Sequence, residues 1–404
     1  MRILLANTGH PDTIKGGAEA AVLDLARRLA ARGHGVSLVV HHGGRDLEIG
    51  EERGVRTYAL PNRNLYFAFD GRKRTAPARL AWHALDGTNP FMAAAFGKIL
   101  DRERPDVVNT HVVVGLSQLI WRAAAKRGLP VVHYLHEYGT MCPRGSAFRD
   151  GALCPRPCLP CGVLGLPRKR LSRLVDTVVG VSRFTLERHL AWGFFPQARR
   201  TVIPNVFEGL RFRGRKTAEG PLRLGYFGRL IPDKGAHLLI EAAKRLPDGW
   251  TLDIAGTGDP AYVEVLKAAA PQRVRFLGWA APGFFFDRVD VMVLPSLWPD
   301  PQPRVTFEAF MHGVPVIGAQ AGGIPEQIDE GRTGWLFEAG SVESLAAVLA
   351  ARLADRADRD LPGSAFAERL AVLDPDRVAG LYEAAYAEAI ARRSPGFEAL
   401  PSPA

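Results

Sequence analysis

Long apolar runs are absent from this chain of 404 residues. No stretch approaches the roughly 18 consecutive apolar residues that a membrane-spanning helix needs. Residues 1–9 turn polar after a short apolar segment, which is too brief for the core of a signal peptide and instead predicts a first β-strand. We therefore expect a cytoplasmic protein without membrane spans.

Cysteine is scarce, and its few copies lie together. All four fall within residues 142–161, spaced by eleven, three and two residues among Pro and Gly. In a cytoplasmic protein this favours a metal site, although free thiols or one or two disulfides are alternatives. Four thiolates would complete the tetrahedral shell of Zn²⁺, so such an ion would be structural. The predicted ligands are Cys142, Cys154, Cys158 and Cys161.

The sequence also lacks an internal repeat and has no G-x-G-x-x-G dinucleotide fingerprint after its first predicted strand. Its length exceeds what one hydrophobic core normally organises, which predicts two domains. Strand–Gly-loop–helix–strand patterns open both halves and indicate parallel α/β sheets. The predicted order is an N-terminal Rossmann-like domain at 1–205 with a Cys-rich insertion at 141–162, a linker at 206–220, a C-terminal Rossmann-like domain at 221–375, an amphipathic helix at 376–393 and a disordered tail at 394–404.

The net charge of +10 is unevenly placed. Residues 1–205 hold 30 Lys and Arg against 16 Asp and Glu, whereas residues 206–404 hold 22 against 26. The basic half favours an anionic partner, such as a phosphorylated acceptor or a phospholipid surface, unless it is only a solvated basic surface. The basic clusters at residues 72–74 and 168–170 fit peripheral contact with an anionic membrane. No nucleic-acid-binding motif is present, so that partner is not expected.

A basic pair lies at a strand-to-helix junction in the second half. Arg229 and Lys234 follow a predicted strand at residues 222–227 and precede a predicted helix at 235–245. Ligands bind at the carboxyl edge of such sheets, and a helix N-terminus adds free N–H groups and partial positive charge. Because Arg grips phosphate bidentately and Lys adds a point charge, the pair suits a diphosphate.

Two acids, Asp300 and Glu308, follow another predicted strand. The first lies in a Pro-rich loop and the second at the predicted start of a helix over residues 307–312. Carboxylates at two such places can accept hydrogen bonds from sugar or ribose hydroxyls. Read singly, Asp300 could be a turn residue and Glu308 a carboxylate that complements the helix dipole.

These segments carry a family resemblance. Residues 295–326, with the two acids and the following GVPVI and AGGIPE runs, resemble the C-terminal signature of glycosyltransferase family 4, which has the GT-B fold. The GRL…DKG, AGTG and IPNV segments resemble further motifs of that family. The resemblance implies two facing Rossmann-like domains with a cleft between them, and a C-terminal helix that crosses back to the first domain.

The resemblance also implies roles for particular residues. Arg229 and Lys234 would bind the donor diphosphate, Asp300 the transferred sugar and Glu308 the ribose. Asp300 departs from the family, which usually has the longer Glu at this position. Pro303 cannot donate an N–H, so the amides of the next two residues are the expected donors to sugar or phosphate. The full predicted donor site comprises Gly16, Gly17, Arg229, Lys234, Gly256, Gly258, Asp300, Arg304, Val305 and Glu308.

The first half supplies histidines at predicted strand ends. His136 matches the family's cleft histidine, and a neutral imidazole there can donate to a sugar hydroxyl. We rank it before His111 and His133, each of which could equally be a core histidine. The expected catalytic set is His136, Asp300, Arg229 and Lys234.

The implied activity is retaining, metal-independent glycosyl transfer from a nucleoside-diphosphate sugar to a glycan, lipid-linked or small-molecule acceptor, in cell-surface polysaccharide or glycoconjugate synthesis. No cofactor is expected for catalysis. The alternatives are a GT-B nucleotide-sugar 2-epimerase, a non-catalytic nucleotide-sugar-binding protein and, from the basic pI of 9.7 alone, a nucleic-acid-binding protein.

Overall fold

The strands and helices follow the alternation predicted from the sequence. The computed structural model describes residues 1–10, 12, 16–214, 220–354 and 361–393. Its strands are β1 (Arg2–Ala6), β2 (Gly35–His42), β3 (Glu48–Glu52), β4 (Val55–Pro61), β5 (Val107–Thr110), β6 (Val131–Leu135), β7 (Phe148–Arg149), β8 (Ala152–Leu153), β9 (Thr177–Gly180), β10 (Arg199–Val202), β11 (Leu222–Phe227), β12 (Trp250–Ala255), β13 (Val274–Gly278), β14 (Val291–Leu294), β15 (Val316–Ala319) and β16 (Gly334–Phe337).

The helices lie mostly between successive strands. They are α1 (Gly17–Ala31), α2 (Ala76–Gly87), α3 (Pro90–Glu103), α4 (Leu119–Ala125), α5 (Leu159–Leu171), α6 (Arg183–Ala191), α7 (Ala236–Ala243), α8 (Pro260–Ala269), α9 (Pro282–Phe286), α10 (Arg304–Met311), α11 (Ile324–Gln327), α12 (Val342–Ala354), α13 (Gly363–Ala371) and α14 (Pro375–Arg393). No helix in these described ranges is long and apolar enough to cross a membrane.

The chain divides into two compact units. The first combines residues 1–147, 154–208 and the segment from 375 onward, and the second combines residues 148–153 and 209–374. The predicted linker and tail fall partly or wholly on residues 215–219 and 394–404, which lie outside the described residues.

The sheet of the first unit has the order β10-β9-β6-β5-β1-β2-β4-β3. Its strands run parallel except for β3, which pairs antiparallel with β4. Valine, leucine and isoleucine fill its central strands, as expected of a sheet that is buried on both faces. The strand order reverses between β1 and β5, which makes their carboxyl ends the place where a ligand is expected.

The last helix belongs to the first unit. Val378, Tyr382 and Tyr386 of α14 are buried in the same core as Val22 and Leu25 of α1. The Tyr386 hydroxyl donates to Asn109 Oδ1 at 2.6 Å. The predicted return of the C-terminal helix to the first domain is therefore confirmed.

The sheet of the second unit has the order β13-β12-β11-β14-β15-β16 and is parallel throughout. Counted within the unit, this is the order 3-2-1-4-5-6 of a doubly wound dinucleotide-type fold. Its reversal lies between β11 and β14. The predicted basic pair follows β11 and the predicted Asp300 follows β14, so topology brings them to one sheet edge.

Two helices near the candidate sites differ from what the sequence predicts. Helix α10 begins at Arg304, three residues before the predicted start, so Glu308 lies in its second turn rather than opening it. Helix α5 was not predicted, because Pro160, Pro167 and two glycines interrupt its sequence. It forms because Pro160 occupies the first turn, where its missing N–H is not needed.

Candidate active site

At the reversal point of the second sheet, one ion pair joins the loops after β11 and β14. Lys234 Nζ donates to Asp300 Oδ2 in a very short contact, and both side chains are largely buried. The ammonium also lies 4.8 Å from the ring centroid of Trp298. Asp300 and Trp298 therefore orient the lysine, while its remaining N–H groups stay able to meet an anion.

The backbone locks these two loops together. The amides of Leu297 and Trp298 both donate to Asp233 O at 3.0 Å. Gly235 is in the left-handed conformation (φ 73°), and a Cβ atom there would lie 1.8 Å from Pro295 O. The lysine and the aspartate are thus placed by main-chain contacts and not only by their mutual attraction.

The predicted donor glycines have the same close-packing role. Added Cβ atoms would lie 1.8 Å from Gly228 O at Gly256 and 1.9 Å from Leu230 O at Gly258. Leu230 N also donates to Thr257 O at 2.8 Å. These contacts explain the two glycines through backbone packing, and the resulting edge carries Arg229, which is exposed.

The second predicted acid has a cationic neighbour on its own helix. Arg304 Nε donates to Glu308 Oε1 at 2.9 Å, an i,i+4 pair in which Arg304 is 43% exposed and Glu308 19% exposed. Glu308 does not complement the helix dipole, because α10 has no acid in its first turn. Its carboxylate is therefore available, with one arginine, to meet polar groups of a ligand.

The side chain of Gln327 fixes the start of α10. Pro303 occupies the N-cap position, and no side chain caps the helix. Gln327, which is buried, donates to Pro303 O at 3.3 Å and accepts from Thr306 Oγ1 at 2.9 Å. The amides of Arg304 and Val305, the predicted donors, consequently belong to a rigid turn with the partial positive charge of a helix start.

In the first unit, two histidines meet at neighbouring strand ends. His111 follows β5, His136 follows β6, and their Nδ1 and Nε2 atoms lie 2.9 Å apart. Burial lowers the pKa of His136 to about 3, against a smaller raising effect of its hydrogen bond with Asn205. Burial also lowers the pKa of His111 well below its ordinary value. Both rings are therefore neutral at pH 7, as a hydrogen-bonding role requires.

A buried aromatic layer supports this pair. The Tyr134 ring lies 4.4 Å from that of His136 and stacks on Tyr382 of α14 at 5.6 Å. Its hydroxyl donates to Ile203 O at 2.7 Å. The C-terminal helix thus helps to orient the predicted histidine.

His133 has a structural environment. Its Nδ1 lies 2.8 Å from Thr110 Oγ1 and its Nε2 lies 3.3 Å from Thr140 Oγ1. The ring is buried against Trp121 and Phe195. It is a core histidine, which agrees with its lower rank in the sequence analysis.

The glycine pair Gly16 and Gly17 opens α1. Gly16 is the extended N-cap residue, and a Cβ atom there would lie 2.1 Å from Glu19 Oε2, whereas Gly17 has open space. Gly16 thus leaves room for the Glu19 carboxylate, whose pKa burial raises. An acid in this position is a feature that the glycine pattern alone does not reveal.

A buried cluster of charged residues was not predicted from the sequence. Arg168 is 2% exposed and donates to Gly139 O at 3.1 Å and His83 O at 3.3 Å. Burial raises the pKa of both Asp86 and Glu137 to about 7, and the nearby Arg168 lowers it in each case. The short RKR run at residues 168–170 predicts exposed basic residues, whereas Arg168 is buried. It instead stabilises the segment that follows His136.

The cysteines form no disulfide within the described ranges. Cys142 and Cys161 are buried, while Cys154 and Cys158 are half-buried. No group of three or more described His, Cys, Asp or Glu side chains has the arrangement of a metal site.

Comparison with known proteins agrees with this architecture. The family described as "Glycosyl transferases group 1" matches residues 221–355, and the "Glycosyl transferase 4-like domain" matches residues 16–206. The sulfoquinovosyl transferase SQD2 of Arabidopsis thaliana is 33% identical over 386 residues, which cover 91% of this chain and 69% of the relative. The chain therefore belongs to the group 1 glycosyltransferases, and the resemblance inferred from its motifs is confirmed.

Further relatives and structures extend this likeness. An uncharacterized 42.6 kDa protein in the cps region of Klebsiella pneumoniae is 30% identical over 81% of this chain and 87% of its own length. A sucrose-phosphate synthase from Thermosynechococcus elongatus has a TM-score of 0.74 at 19% identity, with 97% of this chain and 100% of that chain covered. The protein is a glycosyltransferase built from the Rossmann-like units of the GT-B fold.

Proposed function

We propose that this glycosyltransferase moves a sugar from a nucleoside-diphosphate sugar to a glycan or lipid-linked acceptor, retaining the anomeric configuration and using no metal ion at the diphosphate. The observation that carries the proposal is the Lys234–Asp300 pair at the reversal point of the second sheet. A relative from Mycobacterium tuberculosis, 30% identical over 46% of this chain, is a GDP-mannose-dependent mannosyltransferase that acts on a phosphatidylinositol monomannoside.

The chemistry begins at the diphosphate. Lys234 and the exposed Arg229 can neutralise the charge that develops on the leaving group, which is the largest single contribution such a site can make. Asp300 holds the ammonium in place, so little reorganisation accompanies donor binding. Because both cations come from side chains, the site requires no divalent ion to offset the diphosphate charge.

The sugar and ribose are placed by the remaining polar groups. Asp300 has a second carboxylate oxygen for a sugar hydroxyl, and the amides that open α10 can donate to sugar or phosphate oxygens. Glu308, paired with Arg304 on one side, can accept from ribose hydroxyls. In the first unit, burial keeps His136 uncharged, so its imidazole can exchange the hydrogen bond with His111 for one to a hydroxyl group of a substrate.

A lipid-linked acceptor is favoured by the exposed face of α5. Leu159, Val163 and Leu166 are 81%, 58% and 57% exposed and recur at helical spacing. The same stripe continues to Arg170 and Arg173, which are also exposed. An apolar stripe that ends in positive charge suits the surface of an anionic membrane. Relatives named for lipopolysaccharide core and glycogen synthesis make a polysaccharide or glycoconjugate product our preferred assignment.

The donor test is a panel of nucleotide sugars incubated with and without glycan and lipid-linked acceptors. Acceptor-dependent release of nucleoside diphosphate, undiminished by EDTA, is expected from one donor. The anomeric proton signal of the product should show the configuration of the donor. Turnover of the donor without an acceptor would favour the 2-epimerase, and donor binding without turnover would favour a sensor.

The membrane test uses vesicles of phosphatidylglycerol and of phosphatidylcholine. We expect salt-sensitive binding to the anionic vesicles that falls at least ten-fold in the triple variant Leu159→Ser, Val163→Ser, Leu166→Ser. Val265→Ser removes a comparably exposed apolar side chain (62%) from α8 and is the matched control. Equal binding to both lipids, or equal loss in the control, would exclude this surface as the contact.

A further inference from the structure

The segment that follows His136 contains a tight turn around a cysteine sulfur. Cys142 accepts hydrogen bonds at Sγ from the backbone N–H groups of Arg144, Ser146 and Ala147. Gly145 makes the turn possible with φ 69°, and its amide donates to Cys142 O at 2.9 Å. These contacts fix the position of the Cys142 sulfur within the turn.

A short hairpin then brings the second cysteine back to this turn. Strands β7 and β8 pair antiparallel through Phe148 and Leu153, and Asp150 and Gly151 between them both have positive φ. Cys154 follows β8 directly, and its amide donates to Ala147 O at 2.9 Å. Two strands of two residues each cannot be stable alone, so this hairpin needs a further constraint.

The last two cysteines lie at the start of α5. Cys158 is the N-cap residue, and Cys161 is in the first turn. A C-x₂-C pair in a helical first turn places two sulfur atoms on the same side, within reach of the preceding turn.

The four thiols converge. Cys161 shares hydrogen bonds with both Cys142 and Cys158. Cys154 lies close enough to Cys142 and Cys158 to interact electrostatically with both. The buried guanidinium of Arg168 lies close enough to Cys142 and Cys161 to interact electrostatically with both. Thiols on a turn, at a hairpin end and at a helix start have no packing reason to meet in this way.

We propose that Cys142, Cys154, Cys158 and Cys161 together bind one structural Zn²⁺ ion. The four side chains are not arranged as a ligand shell in the described structure. Zinc binding would therefore draw the half-buried thiols of Cys154 and Cys158 inward and release the thiol protons. Four sulfur ligands at about 2.3 Å close the tetrahedral shell, which leaves no position for substrate. The ion would fix the segment after His136 to the start of α5.

Metal content tests the site independently of transferase activity. The full-length protein, produced with zinc in the medium and purified without chelator, should contain one zinc per chain by mass spectrometry of the native protein. Replacement by Co²⁺ should give the intense sulfur-to-cobalt absorption of a tetrathiolate site. Cys154→Ser, which changes a half-buried residue, should weaken retention of the metal against a chelator at least ten-fold while far-UV circular dichroism stays unchanged.

The matched control is Asp150→Asn in the adjoining hairpin turn, where the side chain is 84% exposed and Asn tolerates the positive φ. It should retain zinc like the parent. Four titratable thiols with no bound metal would overturn the proposal. So would a protein mass lower by the hydrogens lost in one or two disulfides, which would establish the cross-linked alternative.

Discussion

The two units use the same place in their sheets differently. In the second unit, the reversal point carries an ion pair, Lys234 with Asp300, and an exposed Arg229. In the first unit, the end of β5 at the reversal point and the end of the adjacent β6 carry two uncharged histidines, a buried His111 and a half-buried His136, next to an aromatic layer. A charged group must keep a partner or some access to water, whereas a neutral imidazole tolerates burial. One topology can therefore place either a charge-binding or a hydrogen-bonding group.

The largest effect is expected when the ion pair of the second unit is removed. Lys234→Ala should lower kcat/KM for donor transfer by about 10³-fold or more, because it removes a cation from the leaving group and leaves Asp300 unpaired. The measurement is steady-state nucleoside diphosphate release. Lys244→Ala, which removes an exposed i,i+3 partner of Glu241 on α7, is the control and should transfer at parental rates. Equal rates for both variants would remove Lys234 from the diphosphate site.

A smaller effect is expected from the backbone contacts that support the charged pair. Gly258→Ala places a Cβ atom 1.9 Å from Leu230 O, so the two loops must separate. We expect about 2 kcal/mol lower stability and weaker donor binding, measured by denaturant unfolding and by calorimetry with nucleoside diphosphate. Gly283→Ala has open space around the new methyl group and should change neither quantity appreciably. An unperturbed Gly258→Ala protein would show that the loops adjust freely.

The smallest effect concerns the neutral histidines. Burial lowers the pKa of His133 to about 3, with nearby His189 and His136 adding to this effect. Below pH 6.5 the unfolded chain protonates this residue and the folded chain does not, so stability falls with decreasing pH by up to about 1.4 kcal/mol per pH unit. His133→Gln cannot titrate. The free energy of unfolding of this variant should therefore become closer to that of the parent protein as the pH is lowered from 7 to 5. A difference between the two proteins that stays constant over this range would contradict the buried neutral form.

Much of the fold was readable from local patterns. The Gly-flanked alternation of strands and helices predicted two parallel sheets, and the acid–x₇–acid run with its following motifs predicted the family. Helix α5 was missed because its prolines and glycines obey capping and packing rules that only neighbouring elements reveal. The start of α10 was misplaced because Gln327, distant in sequence, fixes Pro303 and Thr306.

The chemistry of the site was less accessible than its residue types. The sequence indicated that Lys234 and Asp300 belong to one edge, but it did not indicate that they pair. It identified His136, yet the contact with His111 and the support from Tyr134 and Tyr382 depend on strands and a helix far apart in the chain. Arg168 looked like a surface residue until its burial beside Asp86 and Glu137 was known.

The sequence by itself determined the class of enzyme, the two-part architecture and the identity of the charged residues, because short-range periodicity and spaced motifs encode these directly. Tertiary structure alone decided which groups meet and which are charged. Ion pairing, thiol convergence and the neutrality of buried histidines follow from distance and solvent access, which arise only when remote segments pack together.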